Sequence, residues 1–133
     1  MSQENVEIVR RVNEAFNHGD IESVLTCCAE DIEVEDLMNA PDVPRVVRGI
    51  QGLRQVLTAW IEGFDEFRGE IVECIESGSH VVCVTDYDSK SREGLALHQR
   101  VTNVFEIRDG KLVQGTFGYE NREQAFEAVG LAG

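Results

Sequence analysis

Two prolines, one tryptophan and two methionines are all that 133 residues contain of those types. Both prolines, Pro41 and Pro44, fall in one short stretch, so the backbone elsewhere is free of their restraint. Basic residues are also scarce: 12 Lys and Arg stand against 25 Asp and Glu, for a net charge of −13. Nucleic acids and anionic membranes need a basic surface, so neither is expected as a partner. No apolar run approaches the roughly 18 residues of a membrane span. Met1-Ser2-Gln3-Glu4 runs straight into an amphipathic pattern with no signal segment, and the expected location is cytoplasmic. The four cysteines form no Cys-x-x-Cys pair, which removes zinc-ribbon and thioredoxin-like chemistry. His18, His80 and His98 are isolated, whereas a metal needs three or four convergent ligands. There is no glycine-rich phosphate loop and no Gly-x-Ser-x-Gly nucleophile motif. Neither a metal nor a cofactor is expected.

What is present fits one soluble domain spanning residues 1–133. Ile8, Val12, Ala15 and Phe16 recur at helical spacing and predict a first helix, ended by Asn17-His18-Gly19. Asp20 caps a short second helix that carries Val24, Leu25 and Cys28. A strand follows, then residues 37–48 as a loop that could cover a cavity. Leu53, Val56, Leu57, Trp60, Ile61 and Phe64 form the strongest helical stripe in the chain. Four antiparallel strands are expected over 70–76, 80–88, 95–107 and 112–119, with Arg108-Asp109-Gly110-Lys111 as a hairpin turn. If Gly78-Ser79 is also a two-residue hairpin loop, Cys74 faces Cys83 across the strands. Buried thiols are the ordinary expectation, and a cytosol would oppose a cross-link. Asn121 and Gln124 suit the cap of a short C-terminal helix. Helices segregated from an antiparallel sheet define an α+β fold.

Chemistry is suggested by polar residues on apolar faces. In Ile32-Glu33-Val34-Glu35-Asp36 the period of two puts Asp36 on the face of Ile32 and Val34. A carboxylate there is costly to ionise without a partner, and one so placed can take or give a proton. Asn103 repeats the anomaly among Val101, Phe105 and Ile107. Asp86 is a third case if Val82 and Val84 face inward, but the opposite face, Val81, Cys83, Thr85 and Tyr87, is equally apolar. Phe117 and Tyr119 share a face with Gly115, and Leu57 and Trp60 project from the third helix. Together these residues would make an apolar pocket with a few convergent polar groups. The rival readings are a solvent-facing Asp36, a core amide at Asn103, a core aromatic at Tyr119 and plain packing at Trp60.

Three segments carry a family likeness: Phe16-Asn17-His18-Gly19-Asp20-Ile21-Glu22, Ala29 to Asp36, and Val47-Arg48-Gly49. With the Arg108-Asp109-Gly110-Lys111-Leu112 turn they resemble the nuclear transport factor 2-like superfamily, in its SnoaL-like (polyketide-cyclase-like) and ketosteroid-isomerase-like branch. That resemblance implies a cystatin-like fold, with a cone-shaped, curved, mixed or antiparallel sheet and N-terminal helices on its concave face. It also implies a homodimer and an apolar small-molecule ligand. In the isomerases Asp36 would correspond to the general base, and Asn103 falls where an oxyanion-binding aspartic acid stands. Their tyrosine position falls on Val12, so that donor is lost. The implied site is Asp36, Asn103 and Tyr119, in a pocket formed by Val12, Phe16, Leu57, Trp60, Val84, Asp86, Val101 and Phe117. Two functions follow: cofactor-free proton transfer at carbon with Asp36 as base, or ligand binding without turnover.

Overall fold

The computed structural model describes residues 2–37 and 44–130. Its elements run α1 (Ser2–Asn17), α2 (Ile21–Thr26), β1 (Cys28–Asp36), β2 (Val46–Arg48) and α3 (Gly49–Gly63). They continue with β3 (Phe64–Ser77), β4 (His80–Ser91), β5 (Ala96–Arg108), β6 (Lys111–Tyr119) and α4 (Arg122–Ala128). The six strands form one open sheet in the order β2-β1-β6-β5-β4-β3. All neighbours are antiparallel except β1 and β6, which run parallel, so the sheet is mixed.

The turns are set by local chemistry. Gly19 takes φ +72 and lets the chain leave α1. Asp20 then caps α2 by accepting from the Ser23 amide at 3.1 Å. The β5–β6 hairpin closes on Asp109 and Gly110, both at positive φ, as a type I′ turn demands. Asn121 caps α4 by accepting from the Gln124 amide at 2.9 Å.

Helices α1 to α3 cover the inner face of the sheet. Val9, Val24, Leu25, Ile32, Leu53, Val81, Phe105, Ile107 and Leu112 form the core there. A smaller cluster lies on the outer face, where Ala125 and Phe126 of α4 pack on Val82 and Val104. The helices therefore do not all lie on one side. The edge strand β3 is tied to α1 at Gly69, whose carbonyl accepts from Asn13 and Asn17 and whose amide donates to Asn17. These side chains occupy edge groups that would otherwise be open to pairing with another strand.

Three expectations about elements change. Residues 46–48 are strand β2, paired with β1, rather than loop; residues 38–43 of the expected loop lie outside the described residues. The third helix stops at Gly63, and Phe64 already belongs to a strand that starts six residues earlier than its alternation suggests. The cause is a bulge: Phe64 pairs with Ser91 but Glu66 pairs with Lys90, so β3 carries one extra residue there. The extra residue places Phe64 and Phe67, three apart, side by side with ring centroids 5.2 Å apart.

Candidate functional site

A cavity of about 140 Å³ opens between the inner face of the sheet and the three N-terminal helices. Its walls are overwhelmingly apolar. Helix α1 supplies Val9, Val12 and Phe16, and α3 supplies Leu53, Val56, Leu57 and Trp60. The sheet supplies Ile32, Val34, Ile71, Phe105 and Phe117. Trp60, Phe67 and Tyr87 form a continuous aromatic wall, with Trp60 and Phe67 4.9 Å apart and Phe67 and Tyr87 5.3 Å apart, and Phe64 packs on it from outside the cavity lining.

Four polar side chains of the sheet face this cavity: Asp36, Thr85, Tyr87 and Asn103. Asp36 is 8% exposed, at the end of the undisturbed alternation Ile32, Val34, Asp36. Its backbone is held on both sides, because its amide donates to the Arg45 carbonyl at 2.8 Å and it lies in register with Phe117 of β6. Among the described residues lining the cavity it is the one carboxylate, and no Lys or Arg lines it.

Asn103 is 1% exposed, and its amide is fully oriented. The Gly118 backbone N–H can only donate, and it donates to Asn103 Oδ1 at 3.1 Å. That contact turns Nδ2 toward Tyr87, where it donates to the phenolic oxygen at 2.8 Å. The Tyr87 oxygen thus accepts from Asn103, and its own hydrogen is left for a second acceptor. Burial pushes the Tyr87 pKa well above the ordinary phenol value; the Asn103 bond opposes this, while Cys83 and the Asp36 charge add to it. The hydroxyl is therefore a donor, not a base, at neutral pH. Gly69 makes room for this ring, since a Cβ there would stand 2.7 Å from Tyr87 Cε1.

Of the residues expected at the site, Asp36, Asn103, Val12, Phe16, Leu57, Trp60 and Phe117 do line the cavity. Four do not. Val84 and Asp86 are on the outer face, where Asp86 accepts a bidentate pair of bonds from Arg100 at 2.5 and 2.8 Å. That guanidinium holds the Asp86 carboxyl below the usual carboxylate range. Val101 is buried on the inner-facing row of β5, opposite Thr85, but is not part of the cavity wall. Tyr119 packs on the outer cluster with α4. The reason is a second bulge: Thr102 pairs with Tyr119 but Val104 with Thr116, so β6 has one extra residue and its alternation flips at Gly118, which takes φ +107. Thr85, Tyr87 and Phe67 line the cavity and are among the residues that alternation alone did not select.

A family model described as the SnoaL-like domain matches residues 9–115, which include all three segments that carried the resemblance. No curated protein matches the chain. Solved structures do. TerC, co-crystallised with polyporic acid, superposes with TM-score 0.80 at 21% identity over 96% of this chain and 98% of its own. Δ5-3-ketosteroid isomerase from Mycobacterium sp. gives 0.77 at 21% over 92% and 96%. RV0760c from Mycobacterium tuberculosis, in complex with estradiol-17β-hemisuccinate, gives 0.78 at 15% over 92% and 97%. At such identities the likeness concerns the fold.

Proposed function

The chain belongs to the SnoaL-like domain family, and from that premise we propose that its cavity binds a neutral, apolar carbonyl compound and moves a proton at the carbon beside the carbonyl. The observation that carries this reading is a buried carboxylate, Asp36, facing the same apolar cavity as a phenol whose oxygen is already engaged by Asn103. Asp36 takes the proton as general base. The Tyr87 hydroxyl donates to the oxygen as enolate charge develops, and Asn103, itself fixed by Gly118, holds that hydroxyl in place. Such chemistry leads to isomerisation, cyclisation or dehydration and needs no cofactor. Asn103 then acts through Tyr87 rather than as the primary oxyanion donor, and the hydroxyl absent at Val12 of α1 is replaced by one from β4.

Size and charge narrow the ligand. An engineered core cavity of about 150 Å³ accepts benzene, so about 140 Å³ suits a compound of roughly one ring. An anionic ligand would meet Asp36 with no cation among the described lining residues, which favours a neutral one. The ketosteroid isomerase among the structural neighbours supports proton transfer at carbon, and the neighbours holding polyporic acid and an estradiol ester support an organic ligand. Substituted monocyclic phenols mimic the enolate and provide the test. Tyr87→Phe weakens their binding roughly tenfold or more in calorimetric titration, equivalent to about 1.4 kcal/mol. Unchanged affinity would remove Tyr87 from this role.

A second reading, binding without turnover, is favoured by Val12, which stands where the resembling isomerases carry their tyrosine. It predicts that ligands leave the cavity chemically unchanged.

A further inference from the structure

We propose that Cys74 and Cys83 form a redox-active dithiol that a hydroperoxide converts to an intrachain disulfide. This site is independent of what the cavity binds.

The geometry begins in the β3–β4 hairpin. Ser77 pairs with His80 around Gly78 and Ser79, and Gly78 takes φ +60, as the first position of a type II′ turn requires. Counting back from that closing pair, Cys74 and Cys83 are direct cross-strand partners at a non-hydrogen-bonded position. At such positions the Cα atoms approach to about 4.5 Å, within the range that a disulfide spans. The two sulfurs are 3.1 Å apart and both cysteines are free thiols. Closing the bond needs a movement of about 1 Å.

The two thiols are not equivalent. Cys83 is fully buried, whereas Cys74 is half-buried on the edge strand, where a small oxidant can reach it. The two sulfurs share a hydrogen bond that either can donate. The contact with Cys83 favours the Cys74 thiolate, burial opposes it, and the Arg10 charge favours it. The same hydrogen bond and burial keep the proton on Cys83. Being the accessible sulfur of the pair, Cys74 is the attacking one and the fully buried Cys83 the resolving one. Cys28 provides the contrast: burial pushes its thiol up to about 12, which leaves it inert at neutral pH.

The chemistry balances with hydrogen peroxide as the oxidant. The Cys74 thiolate attacks a peroxide oxygen, the O–O bond breaks, and hydroxide leaves to take a solvent proton, giving a sulfenic acid. The Cys83 sulfur attacks the Cys74 sulfur, the S–O bond breaks, and the departing hydroxide takes the Cys83 proton as water. Two thiols lose two electrons, and one peroxide becomes two waters.

The test is peptide mapping of the full chain after one equivalent of hydrogen peroxide. The expected product is a Cys74–Cys83 linkage lighter by about 2 Da and restored by dithiothreitol, with Cys27 and Cys28 still open to alkylation after unfolding. Cys83→Ser should halt at the Cys74 sulfenic acid, captured by dimedone. If that variant does not fold, mapping of the unaltered chain decides alone. Oxidation first at Cys27 or Cys28, cross-links between chains, or thiols that all survive excess peroxide would each overturn the proposal.

Discussion

Tyr87 shows how one buried hydroxyl ties function to stability. Its oxygen is the acceptor for Asn103 Nδ2 in a residue that is 1% exposed. Tyr87→Phe removes that acceptor and leaves a buried N–H without it, so the folded state should lose about 1–3 kcal/mol in denaturant titration. A loss within error would mean that water satisfies Asn103 and that the pair is loosely held. Burial also fixes an alkaline limit. The Cys28 thiol is raised to about 12 and the Tyr87 phenol is raised as well, so above about pH 9 the unfolded chain binds fewer protons than the folded one. Stability from these groups is fully present below pH 9 and should fall steadily as pH rises through 10 to 12. Asp36 and Asn103 could be read from the sequence because the alternation around each is unbroken: Ile32, Val34, Asp36 and Val101, Asn103, Phe105. Tyr87 could not, because β4 is apolar on both faces. Its outer row carries Val82, which packs under α4, and period two cannot distinguish a face covered by α4 from one covered by α1.

Bulges decide the site at the scale of elements. The extra residue near Gly118 turns Tyr119 outward while Phe117 remains in the cavity wall, and the one near Asp65 brings Phe67 beside Trp60. A third, between Ile71 and Glu73, resets the phase of β3 so that both Ile71 and Cys74 face the core. None of these leaves a signal in hydrophobic alternation beyond its local failure, which is why the expected faces were wrong where a bulge intervened. Strand β2 was missed for a simpler reason, since three residues show no period. Glycines mark two of the sensitive points. Gly69→Ala places a methyl group 2.7 Å from the Tyr87 ring, against a ring already packed on Phe67. It should cost about 1–3 kcal/mol of stability and displace Tyr87, seen as weaker binding of phenols. If Gly69→Ala is neutral in both respects, the ring is not held there. Gly118→Ala strains a backbone at φ +107 and should loosen the amide that orients Asn103, lowering the thermal midpoint.

Across the whole molecule, an open sheet with α1 to α3 on one face and α4 on the other leaves an apolar space large enough for a small ligand between the inner face and the helices. The general plan was legible from helical stripes and turn residues; the parallel β1–β6 pairing was not, because it brings Asp36 beside Phe117, a residue 81 positions away in sequence. The family likeness carries an expectation of a homodimer packed through the outer sheet face. Size-exclusion chromatography should then give a mass near twice 14.9 kDa that falls on dilution, and a concentration-independent monomer would refute it. The central claim, proton transfer at carbon by Asp36, needs no knowledge of the natural substrate to be tested. The measurement is hydrogen–deuterium exchange at the α-carbon of monocyclic ketones in D₂O, followed by NMR. The unaltered protein should accelerate exchange for ketones that bind, Asp36→Asn should lower that rate by about a hundredfold or more, and Tyr87→Phe should lower it by about tenfold or more. Ketones that bind but exchange no faster than in buffer, or an Asp36→Asn variant that exchanges them equally well, would contradict the account and leave a cavity that only binds.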